Sequence, residues 1–164
     1  MNKLNNKIII LVFAFSVFMS SKAFSQDASN GKKIFEKRCY YCHGFQGGGD
    51  GPVVPRLDPK PRNFRDAHFK FRTTPFNTLP TEDDLFRTIT KGVPGTAMPF
   101  FEALLSETER RDVIAYIKTF NDRWQTEGPG PSMSVGTGPS VTPETIKHGK
   151  DVFDKAQCFV CHGL

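Results

Sequence analysis

The alternation of apolar and polar positions divides the chain into helical blocks separated by stretches without any period. Val113, Ile114, Ile117 and Phe120 form an apolar stripe at helical spacing within Glu107 to Phe120, and Ser106 with Glu109 supplies the capping box that starts it. A second helix is expected from about Glu82 to Lys91, opened by Thr81 with Asp84 three positions on and stopped by Gly92. Near the amino end, Gly31-Lys32-Lys33-Ile34-Phe35 places its glycine and phenylalanine four apart, hence on one helix face, where a small residue lets another helix approach closely. Gly149-Lys150-Asp151-Val152-Phe153 repeats that pattern, with Thr142 as cap and Pro143 in the first turn. Between these blocks, Gly44 to about Pro61 is broken by Gly47-Gly48-Gly49 and by Pro52, Pro55, Pro59 and Pro61, and reads as a long loop. From residue 122 to about Val141 the composition turns to Gly, Pro, Ser and Thr, which reads as a linker.

The first 25 residues have a different logic. Lys3 and Lys7 precede a run from Ile8 to Met19 that is apolar except for Ser16, and Ala23-Phe24-Ser25 has small residues where a cleavage site needs them. This is read as an export signal cut after Ser25, which places the mature protein in the periplasm. The run is short against the ~20 residues of a spanning helix, so an uncleaved membrane anchor is the second reading. Cleavage removes Lys3, Lys7 and Lys22, so the formal charge falls from +5 to +2, and the basic character belongs mostly to the precursor. A nucleic-acid partner is therefore not expected, although residues 60–72 interleave cations with phenylalanines. In that segment the phenylalanines are expected to tuck under a prosthetic group, with Arg62 or Arg65 either pairing with its carboxylates or steering an acidic partner.

Candidate chemistry sits in the cysteines. All four fall in two groups, Cys39-Tyr40-Tyr41-Cys42-His43 and Cys158-Phe159-Val160-Cys161-His162. Thiols at that spacing can add to two vinyl groups on one haem edge, and the adjacent imidazole then reaches the iron. Disulfides are the expectation for exported cysteines, and a Cys₄ zinc site is another use of such pairs. Neither explains a histidine after each second cysteine, and 116 positions from Cys42 to Cys158 exceed zinc-ribbon spacing. Two covalent haem c groups are expected, with His43 and His162 as proximal ligands. With Met1 and Met19 in the signal, Met98 and Met133 are the thioethers left for a sixth ligand. Met133 lies in the linker, and Met98 in Gly95-Thr96-Ala97-Met98-Pro99 is the better candidate. His68 is read as a solvated loop residue.

From residue 30 to 120 the order of these elements resembles the class I c-type cytochromes. A helix runs into Cys39-x-x-Cys42-His43, then come Pro55 and Leu57, then Met98-Pro99, then a final helix with Asp112-Val113-Ile114-Ala115-Tyr116-Ile117. The resemblance implies an all-α fold wrapped around one covalent haem, with first and last helices in contact through Gly31, Phe35 and Tyr116. It also implies that the Pro55 carbonyl accepts a hydrogen bond from His43, a contact that fixes ring orientation. The expected organisation is a signal at 1–25, a cytochrome c domain at 26–121, a linker at 122–141, and the start of a second such domain at 142–164.

Only Gly163 and Leu164 follow His162 in this sequence, and ~25 residues cannot bury a haem. The second domain is thus read as part of a longer di-haem chain, or as one completed by another subunit. The expected function is a one-electron relay between a respiratory donor and a terminal acceptor, with redox proteins or a membrane-bound oxidase or reductase as partners. No small-molecule substrate is expected at the first haem, since His/Met ligation leaves no open position. A haem-bearing subunit of an oxidoreductase, a di-haem peroxidase and a haem-based sensor are the alternatives, all of which would leave the second haem open for chemistry or ligand binding.

Overall fold

A computed structural model describes residues 26–163, and the expected export signal lies outside them. Those residues divide into two units, meeting between Ser132 and Met133. The first contains α1 (Ala28–Arg38), the single turn α2 (Tyr40–His43), a 3-10 turn at Val54–Arg56, α3 (Glu82–Lys91), α4 (Glu107–Lys118) and α5 (Arg123–Thr126). Among the described residues the only β pairing is one isolated bridge, Leu79 to Pro129.

Each long helix begins where side-chain chemistry dictates. Asp27 accepts from the backbone N–H groups of Ser29 and Asn30 at the start of α1. Thr81 with Asp84, and Ser106 with Glu109, form reciprocal capping boxes at α3 and α4. The helix α4 ends at Lys118 rather than Phe120, yet Phe120 stays in the apolar cluster, its ring 5.4 Å from Phe35 and 4.9 Å from Tyr116.

The central crossing is α1 against α4. A Cβ on Gly31 would lie 1.9 Å from the Asp112 carbonyl oxygen, so no side chain fits between the two backbones. Asp112, 3 % exposed, then accepts from Asp27 N at 2.8 Å and Asn30 Nδ2 at 2.7 Å, fastening the start of α1 to α4. Phe35, Val113, Ile114 and Ile117 fill the core behind this contact. Burial of such side chains, at ~1.5–3 kcal/mol each, holds the helices together.

The first unit runs further than composition suggests. Trp124 packs against Phe69 at 5.9 Å, and Gly130 N donates to Leu79 O at 3.0 Å. Residues 122–132, expected to belong to the linker, are therefore part of the first unit, because one tryptophan and a backbone pairing anchor a Gly/Pro segment that carries no periodicity.

Asp84 gives the unit a pH dependence. Its buried carboxylate accepts from Thr73 N at 2.8 Å, Thr73 Oγ1 at 3.0 Å and Thr81 N at 3.0 Å, and pairs with Arg87 at 2.8 Å. Burial pushes its pKa up, but the donors from Thr73 and Thr81 outweigh burial and hold the group below the ordinary carboxylate value. The unfolded chain then takes up this proton at higher pH than the native one. The stabilisation is complete above the ordinary value of ~3.9 and is lost as pH falls through the lower native value. Asp84→Asn is expected to cost about 1–3 kcal/mol at pH 7 and to remove part of the acid sensitivity below about pH 4. Urea midpoints across that range check it; parallel curves for the two proteins would contradict it.

The second unit consists of α6 (Pro143–Lys155) and the turn α7 (Phe159–His162). Thr142 and Thr145 cap α6 reciprocally, with Pro143 in the first turn. A Cβ on Gly149 meets nothing within 4 Å, and Ile146 and Val152 are exposed. Among the described residues, the repeat thus reproduces the first two helices of the first unit without the crossing that Gly31 serves there.

Candidate functional site

α1 delivers Cys39 and α2 carries Cys42 and His43 to one wall of a cavity of about 390 Å³. The volume lies in the range of small-molecule and cofactor sites. Phe35, Phe64, Leu85, Ile89 and Phe101 give it an apolar interior. Met98 lines the same cavity, from the loop between α3 and α4.

His43 is buried, and its ring stacks on Phe64 with centroids 4.5 Å apart and planes 18° apart. Its Nδ1 lies 3.1 Å from the Arg62 carbonyl oxygen. A carbonyl can only accept, so Nδ1 carries the proton and Nε2 keeps its lone pair for a metal. Burial lowers the His43 pKa, with the Arg62 carbonyl opposing, which favours the neutral ring a ligand needs.

That contact corrects one expectation. Pro55 sits in the 3-10 turn and does not line the cavity; the acceptor is Arg62. The loop after His43 folds back through Gly49 N to His43 O at 2.8 Å and Phe64 N to Gly47 O at 2.7 Å. This brings residues 62–64, rather than 55, against the imidazole. No sequence signal marks such an acceptor, since every residue carries a backbone carbonyl.

The residues fit a covalent haem on three counts. Two thiols, an imidazole with a free Nε2 and a thioether line one apolar cavity. Arg38, Lys60, Arg62 and Lys70 also line it and, among the described residues, no carboxylate does, which suits a ring bearing two propionates. Phe64 and Phe69 are buried, as expected for the 60–72 segment, while Phe71 is exposed. Cys39 and Cys42 are free thiols. Burial, with a smaller contribution from Cys42, pushes Cys39 up to about 12, and burial raises Cys42 too.

The other candidates lie elsewhere. His68 is exposed and outside the cavity lining, and Met133 is exposed in the second unit. Arg65 faces Asp50 at 3.8 Å instead of the cavity. In the second unit Cys158 is half-buried, and Cys161 and His162 are exposed. Among the described residues no three His, Cys, Asp or Glu side chains cluster as a metal site would require.

A family model described as cytochrome c matches residues 28–121. This chain belongs to the cytochrome c family. The family assigns covalent haem c to Cys39 and Cys42, in the all-helical fold described above. The cytochrome c of Euglena viridis is 30% identical over 102 residues, covering 58% of this chain and 99% of that protein. Cytochrome c2 of Blastochloris viridis is 30% identical over 120 residues, covering 68% and 93%. The cytochrome bc1 complex cytochrome c subunit of Corynebacterium efficiens is 28% identical over 117 residues, which is 69% of this chain but 31% of that subunit. Among solved structures, a chain of the Kuenenia stuttgartiensis reducing HAO-like protein complex superposes with a TM-score of 0.78 at 41% identity, covering 82% of this cytochrome and 61% of that chain. This cytochrome thus spans about a third of the bc1 subunit's length and three-fifths of the complex's chain.

Proposed function

We propose that this chain is an exported one-electron carrier that relays electrons between a respiratory donor and a terminal acceptor in the periplasm. The observation that carries the reading is the placement of His43 and Met98 on one cavity, with Cys39 and Cys42 at its wall. Haem bound there supplies the Fe(III)/Fe(II) couple, and an iron held by imidazole and thioether has no position left for substrate. The chain's own contribution is to hold the neutral His43 tautomer through Arg62, to exclude water with phenylalanines, and to offset carboxylate charge with the rim cations. The decisive experiment is carbon monoxide addition to the reduced protein. A relay with both haems six-coordinate leaves the reduced spectrum unchanged; rapid binding at the first haem would overturn the proposal.

The likeness to a chain of a redox complex favours a second reading, a haem-bearing subunit of a larger oxidoreductase. Co-purification with a multi-subunit partner from the native host would favour it over the free carrier.

Cys158, Cys161 and His162 are proposed to attach a second haem. Pyridine haemochrome analysis is expected to give two haems per chain, falling to one in a Cys158→Ser/Cys161→Ser protein, with the spectrum of the remaining haem preserved. One haem in the unaltered chain would remove the second site from the reading.

A further inference from the structure

Met98 sits in a loop closed by its own backbone and by one hydroxyl. Val93 N donates to Met98 O at 3.1 Å, and Thr96 N donates to Val93 O at 3.1 Å. Gly92, at φ +66°, lets the strands of the loop approach so closely that a Cβ there would lie 2.7 Å from Met98 O. Thr96 Oγ1 then does two things: it donates to Val93 O at 2.8 Å and accepts from Met98 N at 3.1 Å. Pro94, Gly95, Ala97 and Pro99 have no polar side chain, so Thr96 is the one residue of residues 94–99 whose side chain holds the Met98 backbone from within the loop, beside the backbone bond from Val93 N. Outside it, Phe101 N to Ile89 O, Glu102 N to Thr90 O and the Lys91–Glu102 pair at 2.7 Å tie only the segment beyond Pro99 to α3.

We propose that Thr96 is the positioning residue that keeps the Met98 thioether on the iron against exchange with an external ligand. The inference rests on Met98 being the sixth ligand. Without the hydroxyl, Met98 N–H loses its acceptor and Val93 O loses one of its two donors. Met98 is then held by a single backbone hydrogen bond, Val93 N to Met98 O. Its side chain can leave the cavity wall at lower cost, and the free energy of thioether ligation falls by that of a typical hydrogen bond. Electron carriage needs a ligand that stays through both oxidation states, so the hydroxyl serves the function without touching the metal.

The test uses the haem-bearing full chain and imidazole as the competing ligand. Unaltered protein, Thr96→Val and Thr96→Ser are compared by imidazole titration of the ferric form and by the long-wavelength band of ferric iron bound to thioether. Thr96→Val is expected to bind imidazole about tenfold more tightly, and Thr96→Ser to behave as the unaltered protein. Thr96→Ala, which removes the same hydroxyl with less bulk, is expected to match Thr96→Val and replaces it should valine prevent folding. Unchanged imidazole affinity in the valine and alanine proteins, with the thioether band intact, would overturn the inference while leaving Met98 as ligand. A purely structural role would lower the urea midpoint without changing that affinity, which also overturns it. Absence of the band in the unaltered protein would overturn the inference together with the ligand assignment beneath it.

Discussion

Met98→Ala is expected to leave a helical, haem-bearing protein whose reduction potential has dropped by a sizeable part of the ~0.8 V that axial-ligand choice commands. A thioether stabilises Fe(II) relative to Fe(III) more than water or a nitrogen donor does, so its removal favours the oxidised state. Among the described residues of the first unit no second thioether lines the cavity, and His68 is exposed and outside it, so the replacement is water or a nitrogen donor such as Lys60 or Lys70. The variant should also bind carbon monoxide when reduced and lose the thioether band when oxidised. Potentiometric titration of both proteins measures the main effect. A potential that moves by only a few millivolts would show that Met98 is an ordinary packing residue, adaptable and sulfur-bearing.

Gly31→Ala carries the second large effect, on stability. Its methyl group would stand 1.9 Å from Asp112 O and 2.4 Å from Asp112 C, atoms of the α4 backbone that cannot rotate away as a side-chain tip could. The two helices must separate, which overpacking data put at about 1–3 kcal/mol. The separation also strains the links from Asp27 N and Asn30 Nδ2 to Asp112, each worth ~0.5–1.5 kcal/mol or more with a charged acceptor. Set against a total stability of ~5–15 kcal/mol, that is a large fraction. Gly149→Ala supplies the control, because its methyl group meets nothing within 4 Å in its own unit. Glycine in a helix interior costs ~1 kcal/mol against alanine, so this change should be neutral or stabilising for α6. Urea unfolding followed by far-ultraviolet circular dichroism compares the three proteins. A Gly31→Ala midpoint equal to that of the unaltered chain would show that the helices do not meet as described.

Local chemistry made the helices legible. Thr81 and Asp84, Ser106 and Glu109, and Thr142 with Pro143 announce helix starts in sequence, and each does so in the structure. The spacing of Gly31 and Phe35 pointed to a close crossing, and Phe35 is fully buried beside it. The long loop gave no such signal. Its path depends on backbone pairs such as Phe64 N to Gly47 O, which any residues could make, so the acceptor for His43 was misplaced to Pro55. Arg62 is the one rim cation that the sequence offers, whereas Arg38, Lys60, Lys70 and Thr96 are hidden in it. Their roles come from a cavity wall assembled by four separate segments, not from neighbours in sequence. Trp124 erred in the other direction, a single anchor in a stretch whose composition announces a tether.

The α1–α4 crossing also sets an order of assembly. Asp27 and Asp112 are 85 positions apart, so the first helix waits for almost the whole domain to emerge before it finds its partner. Cys39 lies at the end of that waiting helix. Where the helices have met, burial pushes its thiol up to about 12. The thiolate is the reactive form, so a thiol buried in this way reacts more slowly than one open to solvent. Attachment of haem at Cys39 is therefore expected to be faster while the two helices are still apart than after they have met.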